Sequence, residues 1–99
     1  MKKQLGMAAA AVLATSVAAF AFTGQEYAKE AKISIDQARA AALKAHPGKV
    51  TDEELEKEAG GSGLRYSFDI KTQKGTQEVG VDARTGAVLE NKAEGPNPD

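Results

Sequence analysis

The chain has no cysteine and no tryptophan, and His46 is its single histidine. Without cysteine there is no disulfide framework, and no N-terminal cysteine to carry a lipid anchor after processing. A metal or catalytic role for His46 lacks the further His or Cys partners that such sites need. Charge of one sign is lacking too. Thirteen Lys and Arg stand against 14 Asp and Glu, for a net charge of −1. That balance offers no electrostatic footprint for DNA or RNA. A small domain without disulfides must rely on a modest hydrophobic core.

The N-terminus reads as an export signal. Lys2 and Lys3 form a positive region, an apolar run follows from Leu5 to Phe22, and Ala19-Phe20-Ala21 is a small-x-small cleavage pattern. The alternative is a membrane-anchoring helix, but the run is near the minimum spanning length and no basic flank follows it. Cleavage near Ala21 is expected, with an exported product, periplasmic or secreted. Losing Lys2 and Lys3 takes the net charge from −1 to about −3. The expected organisation is a signal peptide over 1–21, a flexible leader over 22–32, one domain over 33–92 and a polar, Pro-containing disordered tail over 93–99.

Residues 79–89, Val-Gly-Val-Asp-Ala-Arg-Thr-Gly-Ala-Val-Leu, read as two strands around a polar turn. Val79 and Val81 share one face, and Val88 is expected to meet them. Gly86 supplies positive φ, and Asp82 can accept hydrogen bonds from the turn's amides. Upstream, Leu64, Tyr66, Phe68 and Ile70 alternate with Arg65, Ser67, Asp69 and Lys71, the pattern of a half-buried strand. Lys74-Gly75 marks a hairpin between these strands.

Ser34 and Gln37 make a capping box at the start of a helix, with Asp36 in its first turn. Ile35, Ala38, Ala42 and Ala45 form a narrow apolar stripe, and Pro47 and Gly48 end the helix. Here His46 can cap free carbonyls or face solvent. The leader over 22–32 reads as loose chain or a frayed helical turn, with Tyr27 in a satellite contact. Residues 50–59 are ambiguous. Their charged composition favours helix, whereas Val50, Glu53, Leu55 and Lys57 fit one face of a strand with an irregularity after Val50. The large core candidates are Ile33, Ile35, Leu43, Val50, Leu55, Leu64, Tyr66, Phe68, Ile70, Val79, Val81, Val88 and Leu89. The expected class is α+β, one N-terminal helix packed on an antiparallel sheet of three to four strands.

Three segments resemble the PepSY domain: the helix from Ile33 to Val50, the strand Leu64 to Ile70 with its aromatic Tyr66, and the hairpin Val79 to Leu89. The resemblance covers residues 33–92. It implies a helix on an antiparallel sheet, with residues 50–59 as a strand. Glu53 departs from the family's pattern, which often has an apolar residue there. PepSY domains occur in propeptides of secreted metallopeptidases and as lone exported domains. The resemblance therefore implies a protein-binding module that restrains or regulates a secreted or periplasmic peptidase, acting in trans because no catalytic domain follows residue 92. No catalytic residue or cofactor is implied.

Other chemistry is weakly marked. Asp69, Glu78 and Asp82 can share the polar sheet face and bind Ca²⁺ weakly, although their spacing matches no calcium loop; Arg65 and Lys71 are expected to balance them. Gly60 to Gly63 lacks the Lys-Ser/Thr ending of a phosphate loop. Glu53 to Glu58 reads as a solvated acidic face or a patch for a basic partner. If the helix covers Tyr66 and Phe68, then Arg65, Ser67, Asp69 and Lys71 lie exposed on the opposite face as candidate partner-binding residues. Two other readings are an ion or ligand sensor using that face, and a structural domain that self-associates through edge strands.

Overall fold

The computed structural model describes residues 22–95. A 3-10 helix (Gln25–Glu30) leads into helix α1 (Ile35–Ala45), then strands β1 (Lys49–Lys57), β2 (Leu64–Thr72), β3 (Gly75–Asp82) and β4 (Val88–Ala93). The strands form one antiparallel sheet in the order β1-β2-β3-β4. Helix α1 packs over β2 and β3. The class is α+β, as expected. The expected signal peptide lies outside the described residues.

Helix α1 starts where its chemistry dictates. The Gln37 amide donates to Ser34 Oγ at 3.1 Å, and the Ser34 amide donates to Gln37 Oε1 at 2.8 Å. At the other end the His46 backbone amide closes the helix on Ala42 O at 2.8 Å. Ala38 and Ala42 are fully buried, and their small side chains let the helix approach the sheet closely. Ala45, expected on the same stripe, is exposed, because the helix ends there before reaching the core. Half-buried Ile35, Ala41 and Leu43 flank the stripe instead.

Strand β2 supplies the centre of the core. Leu64, Tyr66, Phe68 and Ile70 are buried, with Val79 and Val81 of β3 and Leu55 of β1 beside them. The Tyr66 hydroxyl donates to Ile33 O at 2.9 Å, which satisfies its one polar atom and ties down the chain before α1.

Residues 49–57 form a strand despite their helical composition. Val50, Glu53, Leu55 and Lys57 oppose Ile70, Phe68, Tyr66 and Leu64, and the register slips between Val50 and Asp52. Glu53 thus lies on the helix side of the sheet. Arg39 answers it from α1: Nε and Nη2 each donate to a different Glu53 oxygen, the Nη2 bond at 3.0 Å, while Nη1 reaches Asp36 at 2.8 Å. A bidentate guanidinium turns an acid at an apolar position into a tie between helix and sheet. The Glu53 pairing, ahead of that with Asp36, also holds Arg39 more firmly in its charged form.

Val88 and Leu89 are not core residues. They are 43% and 36% exposed. Val88 does stand opposite Val81, but β4 is an edge strand, and its register shifts beside Val81 so that Leu89 is an extra residue.

The segment over 22–32 is docked to the sheet rather than loose. Thr23 forms an isolated parallel bridge to Glu54, and the Leu55 amide donates to Thr23 O at 2.8 Å. Gly24 follows with φ of 86°, and a Cβ there would stand 1.7 Å from Leu55 O, so only glycine fits. Phe22 meets Tyr66 edge-on at 6.4 Å, and Lys57 Nζ stands 5.1 Å from the Tyr27 ring centre. At the C-terminal end, Ala93 still belongs to β4, and the Glu94 amide donates to Thr76 O at 2.9 Å.

Asp82 fastens three segments. Its carboxylate accepts from the Ser62 amide at 2.6 Å, the Ser62 hydroxyl at 2.8 Å, the Arg84 amide at 2.8 Å and the Thr85 amide at 3.1 Å. Arg84 then reaches Glu30 O at 3.2 Å and Ser62 O at 2.9 Å. The Lys32 and Ile33 amides both donate to Ala83 O, at 2.9 and 3.2 Å. Burial pushes the Asp82 carboxyl up, but the donors from Arg84, Ser62 and Thr85 outweigh it and hold the group at about 2. Asp82→Asn places an amide donor among amide donors, and a loss of about 2–4 kcal/mol is expected in urea unfolding. Because the folded value lies below the ordinary one, the Asp82 contribution is present above pH 3.8 and is lost as pH falls towards 2. A variant as stable as the parent chain in urea would contradict this assignment.

Candidate functional site: an acidic sheet face

The face of the sheet away from α1 is polar, and strand alternation decides what stands on it. Residues Asp52, Glu54 and Glu56 of β1 line up with Asp69, Ser67 and Arg65 of β2. In β3, Glu78 stands opposite Asp69 and Gly80 opposite Ser67; in β4, Glu90 and Lys92 stand opposite Gly80 and Glu78. The acidic run of β1 is therefore split: Glu53 faces the helix, while its even-numbered neighbours face outward.

The four expected partner-binding residues do share this face, but they are not equally exposed. Lys71 is exposed and Asp69 half-buried. Ser67 is buried at 9% exposure, and its hydroxyl donates to Glu56 Oε2 at 2.8 Å. The Arg65 side chain keeps only 12% of its surface. Its stem crosses Gly80, where a Cβ would come within 2.9 Å of Arg65 Cδ. Gly80 thus makes the trough that Arg65 fills. The guanidinium reaches Glu90 Oε1 at 3.3 Å and Ala59 O at 3.2 Å, while the buried Nε has no partner among the described residues. Ser67 and Arg65 hold acidic side chains in place, Lys71 is exposed to solvent, and Asp69 is only partly accessible.

Arg65 and Lys71 do not balance the acids. Asp52, Glu54, Glu56, Asp69, Glu78 and Glu90 crowd one surface, with Glu94 beside them. Burial raises the Asp69 carboxyl above its ordinary value, helped by the Glu94 and Asp52 charges. Glu54 is raised by burial, then by Glu56 and Asp52. Glu78 is raised by burial, then by Glu90 and Asp69, with Lys92 opposing. Lys92 Nζ is 3.1 Å from Glu90 Oε2. Asp82 stands apart from this group, since its carboxylate is consumed by the turn. Among the described residues no three His, Cys, Asp or Glu side chains converge closely enough to hold a metal ion.

Alternation in β2 revealed which of its residues share a face. The acidic run Glu53 to Glu58 reads as an acidic face or basic-partner patch, but that reading does not say which of its acids turn outward beside β2; the contributions of β4 and of Glu94 were missed. The period-two pattern in Asp52, Glu54 and Glu56 was the available signal for β1, hidden by the acids lying between them.

A capped helix over a four-stranded antiparallel meander, with one apolar face and one acidic face, defines the class: a small α+β domain whose free surface is a sheet face. Residues 32–92 match the family model PepSY, described as peptidase propeptide and YPEB domain. The chain belongs to that family, and the match spans α1, β1, β2, β3 and all of β4 but its last residue, Ala93. No curated protein and no solved structure matches the chain. No helix among the described residues is long and apolar enough to cross a membrane.

The raised carboxyls set a pH dependence opposite in sign to that of Asp82. A carboxyl that binds its proton more tightly when folded destabilises the fold at neutral pH, and the penalty lifts as pH falls through the raised value towards 4.5. Thermal stability should therefore rise on going from pH 7 towards pH 5. Glu54→Gln and Asp69→Asn should each raise Tm at pH 7 by roughly 2–4 °C, about 0.5 kcal/mol per relieved surface repulsion, and flatten the rise. Circular dichroism melts across this range check it; Tm falling steadily from pH 7 to 5 would contradict it.

Proposed function

We propose that this chain is an exported, non-enzymatic protein-binding module that restrains or regulates an extracytoplasmic peptidase in trans. The observation that carries the reading is the family match, because the matched segment covers the helix and nearly all of the sheet and the family is described as peptidase propeptide and YPEB domain. Export rests on the Lys2-Lys3 region, the apolar run and the Ala19-Phe20-Ala21 pattern.

The outer sheet face is the proposed contact surface. Asp69 and Lys71 meet the partner, flanked by Glu54 and Glu78, while Arg65 and Ser67 fix the acids around them. The excess of carboxylates fits a basic patch on the peptidase, since charge complementarity steers encounter and selects the partner. The raised carboxyls support this, because a nearby cation lowers the electrostatic cost of keeping them ionised.

The chain from Phe22 onward contains every described element and is the form to test. Added to peptidases secreted by the same cell, it should slow at least one of them and be captured with it. Paired substitution Glu54→Lys and Asp69→Lys should weaken that inhibition about tenfold, with the fold retained by circular dichroism and the loss greatest at low salt. Unchanged activity of every co-resident peptidase, with none captured, would sink the proposal.

A further inference from the structure

The two edges of the sheet are not equivalent. Along β1, the Leu55 amide is engaged by Thr23, and Gly24 lies against the Leu55 carbonyl. Along β4, no described segment pairs with the outer side. The hydrogen-bond phase of β4 shows which of its groups are free. The Glu94 amide donates to Thr76 O, so Glu94, Lys92 and Glu90 turn their backbone groups towards β3. Asn91 and Ala93 stand between them, and their N–H and C=O groups point to the open edge.

We propose that this edge pairs with β4 of a second copy of the chain, antiparallel, with Asn91 facing Asn91 of that copy. Phase and charge together select this register. Facing Asn91 residues exchange two backbone hydrogen bonds, and Leu89 and Ala93 then face each other across the join. On the outer face Glu90 meets Lys92 of the other copy, and Lys92 meets its Glu90. Sliding by one residue on each chain in one direction keeps the phase but opposes Glu90 to Glu90. Sliding the other way opposes Lys92 to Lys92 and Glu90 to Glu94. Both slips set like charges directly across from one another, which cross-strand pairing penalises.

The contact is isologous, so a two-fold axis at Asn91 closes it and leaves no sticky end. It joins two four-stranded sheets into one of eight strands and makes the two acidic faces continuous. The join is short. The extra residue Leu89 interrupts the ladder at one end, and β4 ends at Ala93 at the other. A contact of this length buries far less than the roughly 1,200 Å² of a standard stable interface, so the dimer is weak and concentration-dependent.

Sedimentation equilibrium of the chain from Phe22 onward, across micromolar to millimolar concentrations, should show a monomer–dimer equilibrium. Glu90→Lys alone and Lys92→Glu alone should each weaken the dimer about tenfold, since each turns two attractive pairs into repulsive ones. The double variant carrying both should restore it, because the charges are exchanged but still complementary. In a chain that otherwise lacks cysteine, Asn91→Cys should give an intermolecular disulfide under mild oxidation, while Glu90→Cys should not, its two copies lying diagonally apart. A strict monomer at millimolar concentration overturns the proposal, leaving the peptidase reading intact. So does a dimer indifferent to both single charge reversals, or one whose NMR shifts fall on β1.

Discussion

Four donors converge on the buried carboxylate of Asp82, and most of the chain's long-range order follows from where they come from. Two belong to Ser62, in the loop before β2, and two to the turn after β3. That turn in turn receives the amides of Lys32 and Ile33 through Ala83 O. The start of α1, the entry to β2 and the exit of β3 are thus held at one corner. With that corner closed, Tyr66 can reach Ile33 O and α1 must lie along β2 and β3. The same corner determines the form of the last hairpin. The Asp82 amide donates to Ala87 O, and the register then shifts, placing Leu89 outside the ladder.

Much of this was legible wherever the information is local. Perfect alternation from Leu64 to Lys71 gave β2, and the Ser34-Gln37 pair gave the start of α1, because both signals act within a few residues. Asp82 and Gly86 were legible as turn builders for the same reason. The reach of Asp82 to Ser62 was not, since twenty residues separate them. Strand β1 shows the opposite limit. Its composition favours helix, and what makes it a strand is a partner, β2, together with Arg39 from the helix. Val88 and Leu89 were misjudged for a related reason: periodicity gives the side of a strand but not whether helix or solvent lies above it.

The two faces of the sheet treat carboxylates differently. On the inner face the one acid, Glu53, receives a two-toothed guanidinium, the geometry that makes partial burial of a carboxylate tolerable. On the outer face Arg65 is divided between Glu90 and a backbone carbonyl, and Lys71 stays in solvent. Glu54, Asp69 and Glu78 have their proton affinity raised first by burial and then by neighbouring carboxylates, Glu56 and Asp52 for Glu54, Glu94 and Asp52 for Asp69, Glu90 and Asp69 for Glu78. Local rules are satisfied throughout the core and strained on this surface, and such conflicts concentrate where a protein meets something else.

That strain has an energetic consequence for the proposed role. A domain of this size has a small margin of stability, and like-charge repulsion on its free face lowers the margin further. Any partner that brings positive charge to the face relieves the repulsion, so binding stabilises the fold through the same free energy by which it binds. The inner core cannot provide this coupling, because its one acid is already paired. Asp82 cannot either, because its carboxylate is saturated by donors. In the proposed complex the coupling falls to the outer acids of β1, β2 and β3, where Ser67 receives Glu56 and Gly80 makes room for Arg65, while Asp69 and Glu78 stay half-buried and only partly accessible.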